Sequence, residues 1–161
     1  LKLQVNNPEK LSLVTQTTLS VDDTAEMVSA LKTRFPNIVV PRSEDICYAT
    51  TNRQEAVKKI ANSCDVIIVF GAPNSSNSNR LVEVALKEGC PEAYLIEKVN
   101  TMDWGKISPN MILGVTAGAS APEKLVSDFI FQCNQRFKVE IQNVSVRKEN
   151  VSFNLPQMNL D

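Results

Sequence analysis

Three times along the chain a short apolar run gives way to a hydroxyl-rich polar loop and then to an amphipathic stretch. The first is Leu11-Ser-Leu-Val14, then Thr15-Gln-Thr-Thr18, then a helical pattern from about Val21 to Phe35. The second is Val66-Ile-Ile-Val-Phe70, then Ala72-Pro-Asn-Ser-Ser-Asn-Ser-Asn79, then a helix to about Glu88. The third is Met111-Ile-Leu-Gly-Val115, then Thr116-Ala-Gly-Ala-Ser120, then a helix to about Gln135. A weaker turn of the same order joins Ile38-Val-Val40 to the loop around Cys47 and a helix near Gln54–Ser63, and Ala93-Tyr-Leu-Ile96 reads as a further strand. Strands alternating with helices predict an α/β architecture of small parallel sheets flanked by helices.

Helical spacing aligns Ala56, Val57, Ile60, Ala61 and Cys64 on one face; Leu81, Val82, Ala85 and Leu86 on a second; and Leu125, Val126, Phe129, Ile130 and Cys133 on a third. Cys64 and Cys133 end apolar stripes and read as core residues. Cys90, between Gly89 and Pro91, reads as incidental to a helix-stop turn. Val144-Ser-Val-Arg147 and Val151-Ser-Phe-Asn-Leu155 alternate apolar and polar residues, as a hairpin or two extended segments would.

Composition narrows the function. Hydrophobic residues make up 43% and charged residues 22%, enough for a core, and the net charge of −1 gives no general positive field for nucleic acid or an anionic membrane. Any bound anion is therefore held by a local site. The four cysteines, at 47, 64, 90 and 133, form no CxxC pair or zinc-ribbon spacing, which suits reduced thiols in a cytoplasmic protein. No apolar run is long enough to span a bilayer, and the chain begins at Leu1, so an upstream targeting segment lies outside what can be read.

The polar loops follow predicted strands. In open parallel sheets that is the side where ligands bind and where helix N-termini present unpaired N–H groups to anions. Ser20-Val-Asp-Asp23 resembles a capping box with Asp for the usual Glu, and Thr51-Asn-Arg-Gln54 and Ser120-Ala-Pro-Glu123 are capping patterns. Ser120 thus reads as a cap, a ligand contact or both. Asn74-Ser-Ser-Asn-Ser-Asn79 holds more polar residues than a turn and a cap require, so anion binding stands beside the structural reading. Gly71 and Gly118 permit close backbone approach but belong to no P-loop or G-x-G-x-x-G pattern. Arg53 and Arg80 are either anion partners or solvated helix faces. Cys47 could be core filler, a nucleophile or a metal ligand. A nucleophile commonly needs histidine, which the chain lacks, and a lone thiolate holds no stable iron–sulfur cluster.

Four segments resemble a known family, the 4-hydroxy-3-methylbut-2-enyl diphosphate reductases. They are Thr15-Gln-Thr-Thr-Leu-Ser-Val-Asp-Asp-Thr24, Asp45-Ile-Cys-Tyr-Ala-Thr-Thr-Asn-Arg-Gln54, Asn74-Ser-Ser-Asn-Ser-Asn-Arg-Leu81 and Gly114-Val-Thr-Ala-Gly-Ala-Ser-Ala-Pro122. The resemblance implies a trefoil of three α/β lobes around a cavity, each lobe giving one cysteine to a 4Fe-4S cluster. It implies that Cys47 is the third-lobe cysteine, that Ser75, Ser76, Asn77 and Ser120 bind the diphosphate, and that the catalytic Thr17 lies near the substrate hydroxyl and its proton relay. Residues 1–45 would be the end of the middle lobe, 46–133 the third lobe and 134–161 an extended tail. The implied reaction removes the allylic hydroxyl reductively, with electrons from ferredoxin or flavodoxin. The family's other ligand cysteines, histidines and acidic proton donor would lie upstream, in a missing amino-terminal part of the same protein. The expectation is a carboxyl-terminal fragment that is inactive alone and holds no stable cluster, with a non-catalytic diphosphate-binding α/β module as the alternative.

Overall fold

The computed structural model describes residues 3–41 and 45–146. Its centre is a three-stranded parallel sheet, β1 (Val66–Phe70), β2 (Glu92–Ile96) and β3 (Leu113–Ala117), in the order β2-β1-β3. Val66 stands opposite Glu92 on one side and Leu113 on the other. Every residue of β1 is buried, as expected of a central parallel strand covered on both faces.

Four helices accompany the sheet: α1 (Val21–Arg34), α2 (Tyr48–Ala61), α3 (Ser76–Lys87) and α4 (Glu123–Arg136). One face of the sheet packs Ile67 and Val69 against Val57 and Ala61 of α2 and Leu81, Val84 and Ala85 of α3. The other packs Ile68 and Phe70 against Phe129 and Cys133 of α4 and against two 3₁₀ turns, Val99–Thr101 and Trp104–Lys106. Trp104 stacks on Phe129 with centroids 5.5 Å apart, and Phe129 meets Phe70 edge-on at 5.4 Å. α1 attaches from outside the sheet, through ion pairs of Asp22 with Lys58 on α2 and of Asp23 with Lys87 on α3.

Local chemistry explains the helix ends. Ser20 caps α1, accepting from Asp23 N–H at 3.2 Å, while Asp22 and Asp23 in its first turn and Lys32 and Arg34 in its last complement the helix dipole. Ser75 caps α3 in the same way, accepting from Ser78 N–H at 3.3 Å.

Several sequence expectations change. Leu11–Val14 and Ile38–Val40 form one parallel bridge, Ser12 with Val39, and not a strand pair; Val14 and Val39 are 83% and 63% exposed, so no apolar cover holds a longer ladder there. Helix α2 starts at Tyr48, well before the expected Gln54, because the N–H groups of Thr50 and Thr51 close on the Cys47 carbonyl at 2.9 and 3.0 Å. Thr51-Asn-Arg-Gln54 is therefore helix interior and not a cap. Ser120 is no cap either: it lies exposed in a turn, and Pro122 occupies the cap position of α4. Strand β3 begins two residues late, after Asp65 Oδ2 accepts the Ile112 N–H at 2.7 Å. On α3, Val84 is inside and Leu86 outside. Cys90 is a core residue, 3% exposed, with its thiol on the Glu92 carbonyl at 3.1 Å. Val144–Val146 carries no strand, and the remainder of the expected hairpin lies outside the described residues.

Candidate functional site

β1 and β3 are neighbours, yet the chain leaves them for opposite faces: β1 leads into α3, and β3 into α4. Such a divergence opens a crevice at the carboxyl edge of a parallel sheet. Two glycines line it. A methyl group at Gly71 would lie 2.1 Å from Ser78 Oγ, and one at Gly118 only 2.2 Å from the same oxygen. Ser78, fully buried, thus wedges the first turn of α3 between the ends of both strands, and its hydroxyl donates to Ser75 Oγ at 3.0 Å.

The six-residue polar run resolves into separate tasks. Asn74 is in the turn. Ser75 is the cap, half-buried. Asn79 braces the loop, its amide donating to the carbonyls of Pro73 and Ser75 at 2.8 and 2.9 Å. Ser76, at the first helical position, is exposed. Asn77 is 6% exposed, and neither its Oδ1 nor its Nδ2 has a hydrogen-bond partner. An amide left unpaired in a buried position is costly. At a helix N-terminus, where backbone N–H groups also lack partners, it is a ready donor for an anion.

The second half of the candidate site is the start of α2. Cys47 holds its N-cap position with an exposed thiol. Its N–H donates to the Thr17 carbonyl at 3.1 Å, so two residues thirty apart in sequence are fastened together. Thr17 is exposed. Asp45 supports the same junction, accepting from the N–H and hydroxyl of Thr15 at 3.2 and 3.3 Å. Arg53 ties α2 to the sheet edge: its Nε donates to the Ala117 carbonyl at the end of β3 (3.1 Å) and its Nη1 to Ala49 (3.0 Å). Its guanidinium is thus committed in part to main-chain carbonyls and is not simply solvated. Arg80 pairs with Asp23 and Glu83.

The structure joins Thr17 to Cys47, and through Arg53 joins the Cys47 helix to the loop that carries Ser120. The residues missed from sequence are Gln54, Ser78 and the carbonyl clamp of Arg53. Gln54 could have been found: with Val57 and Ala61 it falls at intervals of three and four, the spacing of a buried helix face.

The other thiols are structural. Burial pushes the Cys64 and Cys133 thiols above the ordinary range, which disfavours the reactive thiolate. Among the described residues no three His, Cys, Asp or Glu side chains gather as a metal site. One exposed thiol is a possible single ligand, and these residues do not make up the full ligand set of a cluster.

A family model described as LytB protein matches residues 2–134. A 4-hydroxy-3-methylbut-2-enyl diphosphate reductase of Ruegeria sp. (strain TM1040) is 51% identical over 157 residues, 98% of this chain and 50% of that protein. A protein of Bradyrhizobium diazoefficiens with the same name and the suffix 1 is 55% identical over 151 residues, 94% of this chain and 47% of that one. The solved structure of the Plasmodium falciparum E-1-hydroxy-2-methyl-but-2-enyl-4-diphosphate reductase superposes with a TM-score of 0.86 at 40% identity, covering 97% of this chain and 49% of that chain. The chain spans about half the length of the curated relatives it matches.

Proposed function

This chain belongs to the LytB protein family, and from that premise we propose that it is the carboxyl-terminal part of a 4-hydroxy-3-methylbut-2-enyl diphosphate reductase. The whole enzyme takes up two electrons and two protons, releases the allylic hydroxyl as water and leaves isopentenyl or dimethylallyl diphosphate. In this reading residues 1–45 complete a middle lobe, 46–133 form a third lobe and 134–161 a tail. Support comes from the half-length match and from the sheet with α2, α3 and most of α4 falling within the second range. Ferredoxin or flavodoxin supplies the electrons, and the enzyme works in the cytoplasm; no described helix is long and apolar enough to cross a membrane.

The observation that carries the binding half is the unpaired, buried Asn77 amide at the first turn of α3. Ser75, Ser76 and Asn77, with Ser120 across the crevice, hold the diphosphate through neutral donors and helix N–H groups. Anchoring at that end fixes the position of the allylic carbon. Thr17 stands at the substrate hydroxyl and passes it a proton. Cys47 contributes one thiolate to a 4Fe-4S cluster whose remaining ligands lie outside this chain. When bound, that cluster supplies electrons and Lewis acidity.

A second reading, a diphosphate-binding module without redox chemistry, has one observation in its favour: no metal-ligating group of three among the described residues. Reductase assays on the 161-residue chain and on the full-length protein separate the two. Turnover by the full-length protein and none by the chain is expected. Absence of turnover in both, with pyrophosphate still bound, favours the module.

A further inference from the structure

Gln54 is fully buried on α2, and both ends of its amide leave the helix. Its Nε2 donates to the Leu19 carbonyl at 2.9 Å, and its Oε1 accepts from the Val21 N–H at 3.1 Å. Those two groups flank Ser20, where the Thr15–Thr18 loop enters α1. Two turns earlier on α2, the Cys47 N–H donates to the Thr17 carbonyl at 3.1 Å. The loop is therefore fastened to α2 at two points, one on each side of Thr18.

On its carboxyl-terminal side the stripe continues with apolar Val57 and Ala61, and on its amino-terminal side with the small hydroxyl of buried Thr50, so packing alone does not call for an amide at this position. A buried amide is costly unless both halves are paired. Here both partners are backbone groups of another segment, one donor and one acceptor, and only an amide of this length satisfies both. A glutamate would set a carboxylate oxygen against the Leu19 carbonyl; an asparagine would fall one methylene short.

We propose that Gln54 is a positioning residue that fixes the Thr17 loop against the Cys47 end of α2, and so sets the Thr17 hydroxyl relative to the Cys47 thiol. The inference rests on the assignment of Thr17 and Cys47 to the reacting end of the site.

Two measurements on Gln54→Glu and Gln54→Asn test it, the second variant guarding against a buried carboxylate that blocks folding. In the 161-residue chain, amide hydrogen exchange at Val21 and Cys47 should quicken by about tenfold or more while the β1 amides of Ile67–Val69 keep their rates. Unchanged exchange, or equal acceleration in β1, overturns the proposal. In the full-length protein, kcat should fall by about tenfold with KM within about twofold, because the diphosphate donors on α3 are untouched. Cys133→Ala, a core truncation on the far face of the sheet, serves as the control for general loss of stability and should keep kcat. Unchanged kcat in both Gln54 variants, or an equal loss in the control, contradicts the positioning role. If the unaltered full-length protein does not turn over the diphosphate, the functional assignment fails, and the exchange rates alone decide whether Gln54 holds the loop.

Discussion

Asn77 is a side chain whose cost and use separate cleanly. Each unpaired polar group in a buried position costs about 1–3 kcal/mol, and Asn77 has two. Asn77→Ala removes that penalty and places a better helix former in the first turn. Thermal unfolding should therefore show little loss of stability, or a gain of up to about 1 kcal/mol, while calorimetry should show pyrophosphate affinity in the full-length protein down by about tenfold or more. Ordinary core behaviour, a clear stability loss with unchanged affinity, would return Asn77 to the role of packing. Residue chemistry was partly legible beforehand. The length of the Asn74–Asn79 run signalled more than a cap, but which of the six residues was spare depended on Asn79 reaching back to Pro73 and on Ser78 entering the crevice. Sequence spacing does not carry those contacts.

At the scale of elements, Ser78 makes a specific demand on the two strand ends. Gly118→Ala should cost about 1–3 kcal/mol, and Ser78→Ala should relieve it, because without the hydroxyl the new methyl lies 3.4 Å from the residue 78 Cβ, an ordinary contact. Gly71→Ala should not be rescued by the same change, since its methyl meets that Cβ at 2.5 Å. Denaturation of the four variants decides; equal rescue at both glycines contradicts the wedge.

Beside the Gln54 hydrogen bonds, the attachment of α1 has an electrostatic part that carries a pH signature. Lys87 holds the Asp23 carboxyl below its ordinary value of 3.8. A depressed folded-state pKa means stability that is present above that ordinary value and lost as pH falls through the lower, folded one. The melting-temperature gap between the unaltered chain and Asp23→Asn should therefore be full near neutrality, close below pH 3.8 and shrink in high salt, as suits an exposed pair. A gap that widens in acid contradicts the pairing.

Helix ends were the least legible elements. Ser20 caps as its pattern indicates, whereas the patterns at Thr51 and Ser120 do not: the first lies inside α2, and Pro122 takes the cap position of α4. The early start of α2 was hidden: Thr50 and Thr51 are poor helix formers, and they are held helical by long-range ties, Arg53 to Ala117 and Gln54 to Leu19 and Val21.

At the scale of the whole molecule, parallel order was readable from alternating runs and loops, and the strand order β2-β1-β3 was not, since it depends on which face each helix covers. The four motifs carried the family, and the match over residues 2–134 agrees with them. In the proposed function, Cys47 is the point where this chain meets chemistry completed elsewhere. Iron quantitation with electron paramagnetic resonance on the anaerobically reconstituted full-length protein tests that most directly. Cys47→Ser should lose the cluster signal and its iron, whereas Cys64→Ala, at a buried thiol in the core, should keep both; equal cluster content in the two variants would contradict the assignment of Cys47.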